Sequence, residues 1–183
     1  MTKQLSDEII MKQLARGNKT AAGILYDRYY KQIFGYFVRM TRDGDVSRDL
    51  TQNVFLKILK YSHSWKEDKV FAYWIFRIAR NILMDHFNDS RKFFSTEDEN
   101  EVAALDQKES VQEMEAKESF EFLLEAMNQL PPGYREMIEL NRFQGFSYKE
   151  IAKTVSSTEN AVKVKTFRAI QKLKEIYTNI IID

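Results

Sequence analysis

Apolar residues return every three or four positions through most of this chain, the period of one face of an α-helix, and short polar breaks cut the pattern into segments. The first segment, over 6–16, opens on Ser6 as N-cap with Asp7 and Glu8 in the first turn, where carboxylates complement the helix dipole. It is expected to bury Leu5, Ile9, Ile10 and Leu14 and to end at Gly17-Asn18. A longer helix over 20–40 carries Leu25, Tyr29, Ile33, Phe37 and Met40 in one row, widened by Tyr26, Tyr30 and Phe34 into an aromatic stripe. After the turn Arg42-Asp43-Gly44-Asp45, with Asp45 as the expected cap, Val46, Leu50, Val54 and Ile58 form the row of a third helix beside Phe55 and Leu59, ending near Tyr61. A polar loop over 62–69 holds one large aromatic, Trp65. The fourth helix, over 70–88, is built around Phe71, Ile75, Ile78 and Ile82, and these four helices close one domain over 1–91.

Residues 92–117 break the pattern: they are acidic, poor in apolar residues, and read as a flexible linker, with helical character resuming near Met114. A second domain over 118–183 begins with a helix carrying Phe120, Leu123, Leu124 and Met127 to Leu130. Pro131-Pro132-Gly133 forces a turn before a helix over 134–143 with Met137, Ile138 and Leu140 inward. Ser147 and Glu150 then form a capping box that starts a helix over 148–155, in which Ile151 and Val155 share a buried face and small Ala152 lets another helix cross close by. Ser156-Ser157-Thr158 interrupts it, with Thr158 the N-cap of the last helix. There Val162, Thr166, Ala169 and Leu173 face the core, leaving Asn160, Lys163, Val164, Lys165 and Arg168 outward, with Lys172 and Lys174 beyond.

The fold class expected from this pattern is all-α: two small helical domains joined by a flexible acidic linker. Composition agrees, since 183 residues with 44% hydrophobic and 30% charged residues, two prolines and six glycines describe a globular chain without strand signals. The net charge of +1 conceals segregation, because acids crowd 97–118 while 142–174 is predominantly basic. The absence of cysteine excludes disulfides and cysteine-based metal or nucleophilic chemistry and fits a reducing compartment. The polar start and the lack of any apolar run near the roughly 18 residues needed to cross a bilayer lead us to expect a cytoplasmic protein without direct membrane insertion.

Helix, short turn and basic second helix together have the layout of a helix-turn-helix that reads the major groove of DNA. The plainer alternative is a helical hairpin with a solvated basic face. The turn departs from the usual pattern, with Ser156-Ser157 in place of a glycine and an apolar residue, and Thr166 is a weak core filler. On the fourth helix Trp74, Arg77, Asn81 and Asp85 share a stripe, with Tyr73 and Arg80 further round. Such a mixture can stack unpaired bases and read their edges, or Trp74 can be core and the rest a solvated face. His63 and His86 have no ligand-spaced partner and there is no glycine-rich phosphate loop, which argues against an enzyme and against a metal site.

The strings Asp49-Leu50-Thr51-Gln52-Asn53-Val54-Phe55-Leu56-Lys57-Ile58 and Phe71-Ala72-Tyr73-Trp74-Ile75-Phe76-Arg77-Ile78-Ala79-Arg80-Asn81 resemble region 2 of the extracytoplasmic-function sigma factors. Leu130-Pro131-Pro132-Gly133-Tyr134-Arg135 with the helix-turn-helix resembles region 4 of the same group, and the two cover nearly all the chain apart from the linker. The resemblance implies a region 2 helical bundle, a region 4 helix-turn-helix, and a bacterial initiation subunit, not an enzyme, that brings core RNA polymerase to promoters and helps melt them. By similarity Asp49, Gln52, Asn53 and Phe55 dock on the clamp helices of core polymerase, Phe55 being open to an ordinary core role, and the second domain meets the flap. The same similarity implies that Trp65, Trp74, Arg77, Asn81 and Asp85 hold the melted minus-10 strand. A second asparagine is frequent in the family where Asp85 stands, and an ionised carboxylate accepts but cannot donate.

The resemblance also implies that Asn160, Lys163, Val164, Lys165 and Arg168 contact duplex at minus-35, the lysines at guanine edges or phosphates, with Val164 able to touch a thymine methyl. The resemblance also implies an anti-sigma factor as partner, with no cofactor, metal or small-molecule substrate, and a linker that either stays clear of DNA or occupies the polymerase channel. The remaining alternatives are a helix-turn-helix regulator acting on duplex operators without polymerase and a protein-only adaptor. The tail Ile180-Ile181-Ile182 is open between packing, fraying and a partner contact.

Overall fold

The computed structural model describes residues 5–66, 70–93 and 111–182, and among these every regular element is helical. The chain divides into two compact units, Met1–Glu101 and Val102–Asp183. Most of the stretch read as linker, 94–110, lies outside the described residues, as do 67–69 of the loop before the fourth helix.

The first unit comprises α1 (Asp7–Ala15), α2 (Thr20–Thr41), α3 (Gly44–Tyr61), a 3-10 turn (Ser62–Ser64) where a loop was expected, and α4 (Phe71–Phe93). Helix α2 lies against α1 and α3, and α3 packs on α4. The aromatic row works as its period demands: Leu25, Tyr29, Ile33, Phe37 and Met40 are buried, joined by Tyr36. The rotation of α1 differs from expectation. Ile10, Met11 and Leu14 are buried, whereas Leu5 and Ile9 are 45% and 46% exposed. Asp7 accepts the Tyr29 hydroxyl at 2.6 Å and pairs with Arg28. That tie holds the Asp7–Met11–Leu14 face inward and leaves Ile9 opposite.

The cap of α3 is Asp43, not Asp45: its extended backbone precedes the first helical residue, and its Oδ1 accepts the N–H groups of Asp45 and Val46, both at 2.9 Å. Leu59 faces outward, while Ser47 and Thr51 are buried beside Leu50, Val54 and Ile58. Their hydroxyls are satisfied locally, Thr51 Oγ1 donating to the Ser47 carbonyl at 2.7 Å and Ser47 Oγ sharing a bond with Thr41 Oγ1 at 2.9 Å. On α4 the core row is Phe71, Ile75, Phe76, Ala79, Ile82 and Leu83, with Ile78 only half-buried, and the helix runs five residues beyond the expected end.

The second unit comprises α5 (Val111–Asn128), α6 (Pro132–Ile138), a π turn (Glu139–Phe143), α7 (Tyr148–Val155) and α8 (Glu159–Ile182). Helix α5 starts inside the stretch assigned to the linker, because 112–118 are strong helix formers whose acidity masked their propensity. Pro132 is the first residue of α6, where its missing N–H costs nothing, so the helix begins two residues before the expected start. The expected helix over 134–143 widens after Ile138. There the Gln144 N–H reaches the Glu139 carbonyl at 3.1 Å, five residues back, and the Gln144 amide holds the buried Glu139 carboxylate at 2.8 Å. Buried Arg135 closes the end of α5, donating from Nε to the Met127 carbonyl at 2.9 Å and from Nη2 to that of Leu130 at 3.2 Å. Ala126, Met127, Leu130, Ile138, Ala169 and Ile176 make the core; Ile180 packs on its edge, while Ile181 and Ile182 are exposed.

Candidate nucleic-acid interface

The capping box forms as the sequence requires: Ser147 Oγ accepts the Glu150 N–H at 3.4 Å and Glu150 Oε2 accepts the Ser147 N–H at 2.7 Å. Ile151, Ala152 and Thr154 are buried against α8, whereas Val155 is half-buried. Ser156 ends α7 in the left-handed conformation, φ 55° and ψ 51°, with its N–H on the Ala152 carbonyl. A serine therefore does the work expected of glycine. Thr158 Oγ1 accepts the Ala161 N–H at 3.2 Å and starts α8. Val162, Thr166 and Ala169 are buried and Leu173 is half-buried, so the inward row is the expected one with a looser end.

The opposite face is open, and Asn160, Lys163, Val164, Lys165 and Arg168 are all exposed on it. At 100° per residue, Asn160, Val164, Phe167 and Gln171 form its centre line, with Lys163 and Lys165 on opposite flanks. Lys165 leans back over the proline turn: a Cβ on Gly133 would stand 2.7 Å from its Nζ, so the glycine leaves room for the ammonium. Phe167, 63% exposed, is the residue that sequence reasoning missed. Its signal was an aromatic one position off the inward row on a helix otherwise solvated there.

In the first unit Arg77, Asn81 and Asp85 are exposed at successive turns of α4, and Trp74 is half-buried at their head with its ring 6.0 Å from that of Phe71. Trp65 is not on this surface. It is 7% exposed with its indole N–H unpartnered, so it is turned into the unit and cannot stack on a base in this conformation. Asp85 faces Lys57 at 4.0 Å across a cleft of about 460 Å³ between α3 and α4.

The outward face of α3 presents Asp49, Gln52 and Asn53, continued by Leu56 at 61% exposure and Leu59 at 44%. Phe55 resolves to the core side, 9% exposed with its ring 4.7 Å from that of Tyr26. Leu56 and Leu59, one turn apart, are the exposed apolar side chains of this otherwise polar face. Among the described residues no cluster of His, Asp or Glu could hold a metal ion, and no helix is long and apolar enough to cross a membrane.

The first unit thus exposes a polar face with apolar insertions on α3 and an aromatic-cationic-amide stripe on α4, which meet at the cleft lined by Asn53, Leu56 and Asp85, and the second unit exposes a basic face on α8. Comparison with known proteins places one family match in each unit. Residues 25–93 match the family model for sigma-70 region 2 and residues 121–173 that for sigma-70 region 4. The chain is 29% identical over 153 residues to the ECF RNA polymerase sigma factor SigM of Bacillus subtilis (strain 168), covering 84% of this chain and 93% of that protein. In fold it is similar to CnrH, solved in complex with the cytosolic domain of CnrY, with TM-score 0.71, 22% identity and coverage of 94% and 97%. It is also similar in fold to the sigma factor RpoE solved with the anti-sigma factor NepR from Bartonella quintana, with TM-score 0.65, 19% identity and coverage of 84% and 96%.

Proposed function

We propose, from the premise that this chain belongs to the extracytoplasmic-function group of the sigma-70 family and so directs core RNA polymerase to promoters, that its three exposed helical faces divide the work. Residues 1–91 bind core polymerase and the minus-10 element, 118–183 bind the minus-35 element and the polymerase flap, and the acidic stretch between tethers them through the polymerase channel. The face of α3 docks on the clamp helices through Asp49, Gln52 and Asn53, with Leu56 as the apolar anchor and Phe55 packed on the core side of the helix against Tyr26. The stripe of Trp74, Arg77, Asn81 and Asp85 holds the melted minus-10 strand, with Trp65 bracing the preceding turn from inside. Asn160, Lys163, Val164, Lys165 and Arg168 meet minus-35 duplex, joined by Phe167 on the centre line of the reading face.

The chemistry is differential binding. Unstacking a base costs a few kcal/mol, and stacking it on an aromatic side chain returns roughly 1–3 kcal/mol, so a protein that grips only the open strand draws the duplex toward melting. The basic helix adds counterion release from phosphates and anchors the complex upstream. Tethering makes the second contact intramolecular, which raises its effective concentration without any new bond. The chain performs no covalent step of its own and works in the cytoplasm. An anti-sigma factor holds it inactive; the fold it shares with RpoE, solved on NepR, supports that partner.

The observation that carries this reading is the order of two family matches, each on its own compact unit and each coinciding with an exposed polar-aromatic or basic face. A regulator that binds operators without polymerase is not favoured, because it leaves the α3 and α4 faces without a role. Transcription by core polymerase with wild type, Trp74→Ala and Lys163→Ala tests the assignment. Trp74→Ala is expected to lose permanganate-reactive strand opening while still binding minus-35 duplex, and Lys163→Ala to lose preference for the minus-35 sequence while still opening. Equal activity in all three overturns it.

A further inference from the structure

The helix that carries the minus-10 stripe is held at its start by residues from the other end of the unit. Glu8 Oε1 accepts the backbone N–H of Phe71, the first residue of α4, at 3.3 Å across 63 positions of sequence. The opening N–H groups of a helix have no partner within it and form the positive end of its dipole, so a carboxylate there is acceptor and counter-charge at once. Next to it, Asp7 accepts the Tyr29 hydroxyl at 2.6 Å and pairs with Arg28, which also donates to the Leu5 carbonyl at 2.8 Å. Burial, and then the bond to Asp7, raises the Tyr29 hydroxyl well above the usual tyrosine pKa, so it remains a donor. The Tyr29 ring stands edge-on to that of Phe71 at 5.2 Å, Phe71 is fully buried, and its ring lies 6.0 Å from that of Trp74.

A continuous path of contacts therefore runs from the two acids of α1 to the aromatic head of the stripe. We infer that Glu8, with Asp7 behind it, is a positioning residue for capture of the minus-10 strand: it fixes the opening turn of α4, hence the seat of Trp74 and the line of Arg77, Asn81 and Asp85. Glu8 itself touches no DNA. The inference rests on the assignment of the α4 stripe to the melted strand made above. A group that must meet a base within a fraction of an ångström needs such support from outside its own helix. The role belongs to the bond and its geometry, so a glutamine, whose amide oxygen also accepts, can fill it.

The test uses holoenzyme assembled from core polymerase and the full chain as wild type, Glu8→Ala, Glu8→Gln and Trp74→Ala. The probe is the fluorescein-labelled single non-template strand of a promoter recovered by transcription selection. Glu8→Ala is expected to bind this strand about five- to tenfold more weakly, the effect of one lost hydrogen bond, with Glu8→Gln recovering most of the loss. Polymerase affinity and minus-35 duplex affinity should stay within about twofold of wild type in both Glu8 variants. Wild-type strand affinity in Glu8→Ala overturns the inference. Equal losses in Glu8→Ala and Glu8→Gln overturn it too, as does a parallel loss of polymerase binding, which would mark a general stability role. Retained strand binding in Trp74→Ala sinks the stripe assignment itself; loss there with none in Glu8→Ala sinks the positioning role alone.

Discussion

Ser156 sits in a backbone conformation that glycine adopts freely and a side chain resists, at the turn that sets the angle between α7 and the reading helix. Ser156→Gly is expected to stabilise the second unit by about 1 kcal/mol, read as a roughly fivefold slowing of amide exchange in α7 and α8. Unchanged or faster exchange would contradict the strain. Thr166 presents a second local cost: fully buried, with a hydroxyl that finds no partner. Thr166→Val should stabilise that unit by about 1 kcal/mol, read as a raised unfolding midpoint, and a lowered midpoint would show the hydroxyl to be bonded. Both oddities were legible in sequence, one as a serine where a glycine belongs and the other as a weak core residue, because each depends on near neighbours alone. Trp65 and Phe55 were less so. Whether a loop tryptophan turns in or out, and which side of α3 holds a phenylalanine, depends on distant chain such as Tyr26, which periodicity does not encode.

Helix existence followed from apolar spacing, and caps such as Ser6, Ser147 and Thr158 from single residues, since these are matters of a turn or two. Rotation about the helix axis was harder. The face of α1 is chosen by ion and hydroxyl contacts of Asp7, more than twenty residues from their partners in sequence. The π turn after α6 is equally non-local in cause, held by Glu139 and Gln144 where helical spacing alone predicts no interruption. On α3, displacing Leu59 from the core uncovers an outward apolar pair with Leu56, and this gives the proposed polymerase face its anchor. Leu56→Asp should weaken binding of the chain to core polymerase about tenfold or more while leaving the helical content intact, as truncation of a central apolar contact does. Wild-type affinity in that variant would move the docking face elsewhere.

At the scale of the molecule, a net charge of +1 arises from two opposed regions, an acidic middle and a basic end, joined to a first unit whose exposed α4 stripe mixes aromatic, cationic and amide groups. Such an arrangement makes sense for a chain that touches one promoter at two places while seated on a larger enzyme. That the chain holds two units could be read from sequence because a run of acids over 97–118 separates two segments with helical apolar spacing; the helical start of α5 could not, since helix-forming glutamates count equally as linker. The most direct test is transcription from a random promoter library by core RNA polymerase, alone and with this chain. The account predicts discrete start sites that appear only with the chain and share two sequence blocks at fixed spacing. Initiation no different from that of core polymerase alone would contradict it.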